Sequence, residues 1–340
     1  MSSKIRWGVL STARIGTRKV IPGMQQAASC EIAAIASRDL GRAREAAQAL
    51  GIPKACGSYE ELLADPAIDA IYNPLPNHLH VPWSIRAAEA GKHVLCEKPI
   101  AMSADEARRL LEVRDRTGVL IQEAFMVRSH PQWIAAREIV ESGRIGELRL
   151  LAGLFSYFND DPKNIRNVID WGGGGLMDIG CYIVHASRMI FGREPVRAAA
   201  MMERDPKMDI DRLTSVMLDF GGPQAIGACG TQMVPYQRIQ IMGTRGRIEI
   251  PIPFNAPPDQ PTRILVDDGA DLAGATAETL EFGVCDQYTI QGELFSRAIL
   301  EGRAAPYPLE DSVRNMQVID ALVRSADSAG WVVPTPAFAG

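Results

Sequence analysis

Between Ile5 and Met126, short apolar runs alternate with longer stretches whose apolar residues recur every three or four positions. The runs are IRWGVL (5–10), EIAAIAS (31–37), AIDAIYN (67–73), KHVLCE (92–97) and GVLIQEAF (118–125), each of strand length. DLGRAREAAQAL (39–50) and SADEARRLLEVRDRTG (103–118) lie between them and carry helical spacing. Ser103, three residues ahead of Glu106, adds a helix-start signature. Strands alternating with helices build βαβ units, so the pattern predicts an α/β fold with an open, doubly wound parallel sheet. Past Met126 the runs lengthen and alternate, as in ELRLLAGLFSYF (147–158) and RLTSVMLDFGG (212–222), with turn residues at Gly221-Gly222 and 243–246. This change divides the chain into a domain 1–126 and a domain 127–340. No internal repeat or low-complexity linker is visible.

In a doubly wound sheet the first strand-to-helix turn receives a dinucleotide pyrophosphate, because a helix N-terminus presents free N–H groups and partial positive charge. The usual G-x-G-x-x-G reads here Ser11-Thr12-Ala13-Arg14-Ile15-Gly16. Ser and Ala are the smallest departures that still permit a tight turn and a close approach of backbone to phosphate, and Gly16 keeps the place where helix packs on strand. A plain structural turn is the other reading. At the end of the second run, where an acid commonly meets the ribose 2′-hydroxyl of NAD, the chain has Ser37-Arg38. A hydroxyl and a guanidinium suit a 2′-phosphate, which favours NADP over NAD. Asp39 reads as the N-cap of the next helix. Two more stretches end strands at the ligand-binding edge, NPLPNHLH (73–80), with Leu75, Asn77 and His80, and CEKPIA (96–101), with Glu97 and Lys98. Pro99 restrains the backbone of Lys98 and admits a cis bond.

Composition narrows the partners. Formal charge is −5 and the basic residues are dispersed, so no basic stripe for nucleic acid exists. No apolar run reaches the roughly 18 residues of a membrane span, and the N-terminus has no export signal, so a cytoplasmic protein with a small-molecule ligand is expected. Six cysteines stand far apart without C-x-x-C, which reads as buried free thiols rather than a metal site or disulfide framework.

Several segments together resemble the Gfo/Idh/MocA oxidoreductases, the family of glucose–fructose oxidoreductase and inositol dehydrogenase. They are the S-x-A-x-x-G turn, PLPNHLH, GKHVLCEKPIA, QEAFMVRSHPQ (122–132), GGGGLMDIGCYIVHASRMIFG (172–192), QRIQIMGTRGRIEIPIPF (237–254) and LEDSVRNMQVIDALVRSA (309–326). The likeness is greatest to the branch holding glucose–fructose oxidoreductase, NADP-linked xylose dehydrogenases and dimeric dihydrodiol dehydrogenase. It implies a Rossmann domain followed by an α/β domain on a large, open, mostly antiparallel sheet, one face of which serves oligomer contact. A homodimer or homotetramer is therefore expected.

The resemblance also implies roles. Lys98 of E-K-P, with Asp178 and Tyr182 of G-G-G-x-L-x-D-x-G-x-Y, match the family's catalytic residues. On a helix starting near Gly175, Asp178, Tyr182 and His185 share one face, a spacing that an ordinary amphipathic helix with a polar edge would also show. Hydride transfer from a secondary alcohol needs a base and a cation beside the developing alkoxide. Tyr182 is then the acid/base, with His185 as runner-up. Lys98 is the cation, and Asp178 orients Lys98 or takes a neighbouring substrate hydroxyl. Arg166 and Tyr288 match residues that reach cofactor or substrate in relatives, and Arg128 and His130 read as anchors of the domain junction. The expected activity is hydride transfer between NADP(H) and a sugar, polyol or cyclic diol. A glucose–fructose-oxidoreductase-like enzyme that never releases its nucleotide and a non-catalytic sensor are the alternatives. No metal is expected.

Overall fold

The computed structural model describes residues 4–334. They form two compact units, 4–126 with Asp286–Val313, and 127–285 with 314–334.

The first unit is built on six parallel strands, β1 (Ile5–Leu10), β2 (Cys30–Ala36), β3 (Lys54–Cys56), β4 (Ala70–Asn73), β5 (His93–Cys96) and β6 (Ile121–Glu123). Their order is β3-β2-β1-β4-β5-β6 and every neighbouring pair is parallel. The chain reverses direction across the sheet at β1 and β4, which is where such folds take their ligands. The helices are α1 (Ile21–Gln25), α2 (Leu40–Leu50), α3 (Tyr59–Leu63), α4 (His80–Glu89) and α5 (Ala104–Thr117). Asp39 caps α2 as its sequence position predicts, accepting from the N–H groups of Gly41 and Arg42. Ser103 caps α5 by accepting from Glu106 N–H, while the Glu106 carboxylate turns back to Met102 N–H. The three-residue strand β3 carries too short an apolar signal to be seen in the sequence.

The second unit holds α6 (Pro131–Glu141), α7 (Cys181–Phe191) and an eight-stranded sheet. Its strands are β7 (Leu148–Phe158), β8 (Arg197–Arg204), β9 (Asp211–Asp219), β10 (Gln224–Gly230), β11 (Gln232–Gly243), β12 (Arg247–Ile250), β13 (Thr262–Asp267) and β14 (Glu278–Phe282). The order is β14-β13-β12-β11-β7-β10-β9-β8, antiparallel throughout except for β7 with β10. Helix α7 lies against one face, where a Cβ on Gly153 would meet Ile183 at 3.3 Å. The opposite face exposes Leu154, Met201, Met217, Ile226 and Tyr236 on adjacent strands.

The expected boundary needs correction. The stretch 286–313, grouped with the second domain by sequence pattern, packs in the first unit. It opens with α8 (Gln287–Leu300) and ends in the first turn of α9 (Leu309–Ser328), the rest of which belongs to the second unit. Helix α8 reaches β1 and β2 through Trp7 Nε1, which donates to Ser296 Oγ at 3.0 Å, and through Glu293, which accepts from Ser29 N and Oγ. It also fits closely on α1, for a Cβ at Gly23 would stand 2.9 Å from Tyr288 Cβ and one at Gly292 would stand 2.8 Å from Met24. An amphipathic helix does not reveal in its sequence which sheet it will cover.

Candidate active site

The loop after β1 makes its turn at Ser11, whose φ of 72° is the left-handed conformation that normally calls for glycine. The serine side chain helps hold it, since Ser11 Oγ accepts from Ala13 N–H at 3.2 Å. Thr12, Ala13 and Ile15 are half-buried and Arg14 is exposed. A helical segment begins at Arg14, passes through a π turn at Gly16–Val20 and continues as α1. The first N–H groups of such a segment have no partner inside it and point toward any anion above the loop. Gly16 is less crowded than its motif position predicts, since a Cβ there would sit at ordinary contact distance, 3.5 Å, from the Tyr72 ring.

At the end of β2, Ser37 is buried and its Oγ accepts from Asp39 N–H, while Arg38 is exposed beside Tyr59. Arg42, which sequence reading passed over, stands 3.8 Å from Asp39 and joins Thr12 and Thr17 along a groove of about 400 Å³. The hydroxyl, two guanidiniums and turned loop fit a dinucleotide with a 2′-phosphate.

Lys98 comes after β5 on a turn fixed at each peptide. Glu97 N–H donates to Asn73 O, the Lys98-Pro99 bond is cis, and Ile100 N–H donates to the buried Glu123 carboxylate at 2.8 Å. Tyr72 donates its hydroxyl to Glu97 Oε1 at 2.7 Å, and burial with that neighbouring charge holds the phenol pKa well above its ordinary value. Tyr288, in the first turn of α8, is buried within electrostatic reach of Tyr72. Two expected cofactor-binding residues also brace their own loops. The His80 ring is buried with Nδ1 2.7 Å from Pro99 O and Nε2 2.7 Å from Leu75 O, so its nitrogens tie the EKP turn to the loop after β4. Leu75 is itself buried and its N–H donates to Asn73 Oδ1. Asn77 heads a short 3₁₀ turn and stays half-exposed.

In the second unit the glycines 172–175 close a tight loop. Gly174 adopts φ 119°, and a Cβ there would fall 2.0 Å from Asp211 Oδ1. Asp211, also missed in the sequence, accepts from Leu176 N–H and Thr214 Oγ1, and burial raises its pKa. From this loop the chain enters a π turn at Leu176–Gly180 and then α7, instead of the single α-helix expected, so regular i, i+4 spacing applies only from Cys181 onward. Such turns are frequent at functional sites. Asp178 lies in this π turn. Its carboxylate accepts Arg166 Nε at 3.0 Å on both oxygens and the Tyr157 hydroxyl at 2.5 Å on Oδ2. Arg166, expected to reach cofactor or substrate, is thus engaged with the candidate catalytic aspartate. Tyr157 escaped the sequence reading, though alternation along β7 puts it on the face of Phe155 and Gly153. Tyr182 is buried against Phe155 and Phe254, with ring centroids 5.7 and 5.1 Å away, and His185 is buried farther along α7.

Arg128 lies in a 3₁₀ turn and His130 caps α6, its Nδ1 accepting from Gln132 N–H at 3.2 Å and its Nε2 lying 3.5 Å from Cys285 Sγ. Cys285 is half-buried, unlike the other five cysteines, and all six are free. Among the described residues no cluster of three or more His, Cys, Asp or Glu could hold a metal, and no helix is long and apolar enough to cross a membrane.

A parallel sheet with a glycine-like phosphate turn, and a lysine pinned at its carboxyl edge, together with a second unit on an open antiparallel sheet, defines a nicotinamide-nucleotide oxidoreductase. The chain belongs to the GFO/IDH/MocA family: residues 5–125 match the oxidoreductase family with NAD-binding Rossmann fold and residues 133–249 match the family's C-terminal domain. It is 51% identical to an uncharacterized oxidoreductase of Rhizobium meliloti, over 96% of this chain and 98% of that one. It is 40% identical to the D-xylose 1-dehydrogenase (NADP(+)) 2 of Haloferax volcanii, again over 96% of this chain and 98% of the relative. Among solved structures, KijD10, a 3-ketoreductase from Actinomadura kijaniata in complex with NADP and TDP-benzene, superposes with a TM-score of 0.89 at 30% identity, covering 95% of this chain and 98% of that one.

Proposed function

We propose that the protein transfers hydride between NADP(H) and a hydroxyl or carbonyl carbon of a sugar, polyol or cyclic diol. The carrying observation is that Ser11, Ser37 with Arg38, and Lys98 stand at the carboxyl ends of three strands of one parallel sheet, β1, β2 and β5. Ser11 through Ile15 would hold the pyrophosphate, and Ser37 and Arg38 the 2′-phosphate, with Arg42 nearby. Glu97, Asn77 and Tyr288 lie toward the nicotinamide end. The bound nucleotide supplies or accepts the hydride. Tyr182 exchanges the proton of the reacting hydroxyl, Lys98 provides the positive charge that steadies the alkoxide, and Asp178 receives a substrate hydroxyl or orients Lys98.

The relatives' names, one acting on D-xylose with NADP(+) and one a 3-ketoreductase holding NADP, support this reading. Six free cysteines agree with a cytoplasmic setting. The apolar outer face of the eight-stranded sheet supports a homodimer formed through it. A panel of D-xylose, D-glucose, myo-inositol and trans-1,2-dihydrobenzene-1,2-diol with NADP+ and NAD+, monitored by nicotinamide absorbance, tests the reading. Turnover with NADP+ and at least one polyhydroxy substrate is expected, and none with any pair would refute it. Nucleotide absorbance surviving desalting would instead identify an enzyme that retains its cofactor.

A further inference from the structure

Asp178 is held from two directions by side chains of its own unit. Arg166 approaches through Nε, which is shared between the two carboxylate oxygens at 3.0 Å each. A shared donor of this kind fixes the plane of a carboxylate less than a two-pronged guanidinium pair does. The Arg166 side chain is also 41% exposed, so water screens its share of the attraction. Tyr157 adds a second direction. Its hydroxyl meets Oδ2 at 2.5 Å from the inner face of β7, and the Asp178 side chain is only 12% exposed. Burial, the Asp178 charge and the more distant Asp211 together push the phenol pKa far above its ordinary value, with Arg166 opposing, so the hydroxyl remains a donor across the working range. Asp178 lies in the π turn at Leu176–Gly180, a backbone form frequent at functional sites, so its carboxylate direction is set by the side chains that bond it.

We propose that Tyr157 is a positioning residue whose hydroxyl, together with Arg166, locks the Asp178 carboxylate in the orientation the reaction uses. The inference rests on the reading that Asp178 serves the hydride-transfer reaction. Tyr157→Phe removes one oxygen and keeps the ring, so fold and nucleotide binding should survive, as thermal melting and NADPH fluorescence would show. With D-xylose and NADP+, or whichever substrate pair the wild type turns over best, kcat should fall roughly 10- to 100-fold, the range of a lost charge-assisted hydrogen bond, with KM within about twofold of wild type. Asp178→Asn should lose at least as much. The double variant should be no slower than Asp178→Asn alone, because a residue acting through the carboxylate has nothing left to act on.

Wild-type kcat in Tyr157→Phe beside an inactive Asp178→Asn would overturn the clamp and leave the role of Asp178 standing. Losses that multiply in the double variant would also overturn it, by making Tyr157 a substrate contact. Full activity in Asp178→Asn, or a wild type that turns over no member of the substrate panel, would remove the underlying reading and the clamp with it.

Discussion

Mild acid should weaken this protein through His130. The ring is fully buried at the head of α6, where Nδ1 accepts the Gln132 N–H, a role open only to an unprotonated nitrogen. Burial holds its pKa at about 4, against 6.5 for a free histidine. Above pH 6.5 neither the folded nor the unfolded ring is charged, and stability is complete. As pH falls toward 4 the unfolded chain binds a proton that the folded chain refuses, so stability drops until both forms are charged. A gap of 2.5 units corresponds to about 3.4 kcal/mol for the whole window, of which about 2 kcal/mol is lost by pH 5. His80, also lowered to about 4 by burial, adds its own loss, so the wild type alone cannot isolate the effect. His130→Asn can, because the amide oxygen replaces Nδ1 as a cap and does not titrate. Urea unfolding of both proteins at about pH 7.5 and pH 5 should show wild type losing about 2 kcal/mol more than the variant. A difference below roughly 0.5 kcal/mol would refute the buried neutral ring.

Tyr182→Phe keeps the ring packed on Phe155 and Phe254 and removes the proposed acid/base, so kcat should fall about 10²- to 10⁴-fold while NADP binding is unchanged. Near-normal turnover there, with a large loss in His185→Ala, would move the proton to His185. Arg38→Ala should cost NADP about 1.5–3 kcal/mol of binding and NAD little, and calorimetry showing equal losses would remove Arg38 from the 2′-phosphate. Leu154→Glu combined with Met217→Glu places charge on the exposed sheet face, so light scattering should move from a dimer to a 37.0 kDa monomer. A wild type already monomeric at micromolar concentration would refute that interface.

The Rossmann half was legible because its signals are local. Strand runs, helical periods, and the Asp39 and Ser103 caps fall within short windows, and the structure trims the runs 67–73 and 118–125 to Ala70–Asn73 and Ile121–Glu123 while adding the short β3 and the distant α8. Residues whose meaning depends on distant partners were hidden. Tyr157 and Asp211 look like ordinary strand positions until the 164–178 segment folds back onto them, and Arg166 carries no mark of its carboxylate. The loop-bracing contacts of His80 were hidden for the same reason: a histidine at a ligand-binding edge gives no sign that two backbone carbonyls stand at its ring nitrogens. The π turn at Leu176–Gly180 escaped because a 3.6-residue period is the only helical rhythm that apolar spacing reveals.

The contribution of α8 to the first unit bears on how the protein comes to exist. Trp7 finds Ser296 across 289 positions, and Ser29 finds Glu293 across 264. During synthesis the strands of the parallel sheet are written first, yet the helix that packs on β1 and β2 follows only after every strand of the second sheet. Closing such long loops is slow, and the partly covered sheet waits with apolar surface exposed to other chains and chaperones. A chain ending at residue 126 would therefore lack the helix that Trp7 and Ser29 bond, and would leave β1 and β2 partly uncovered.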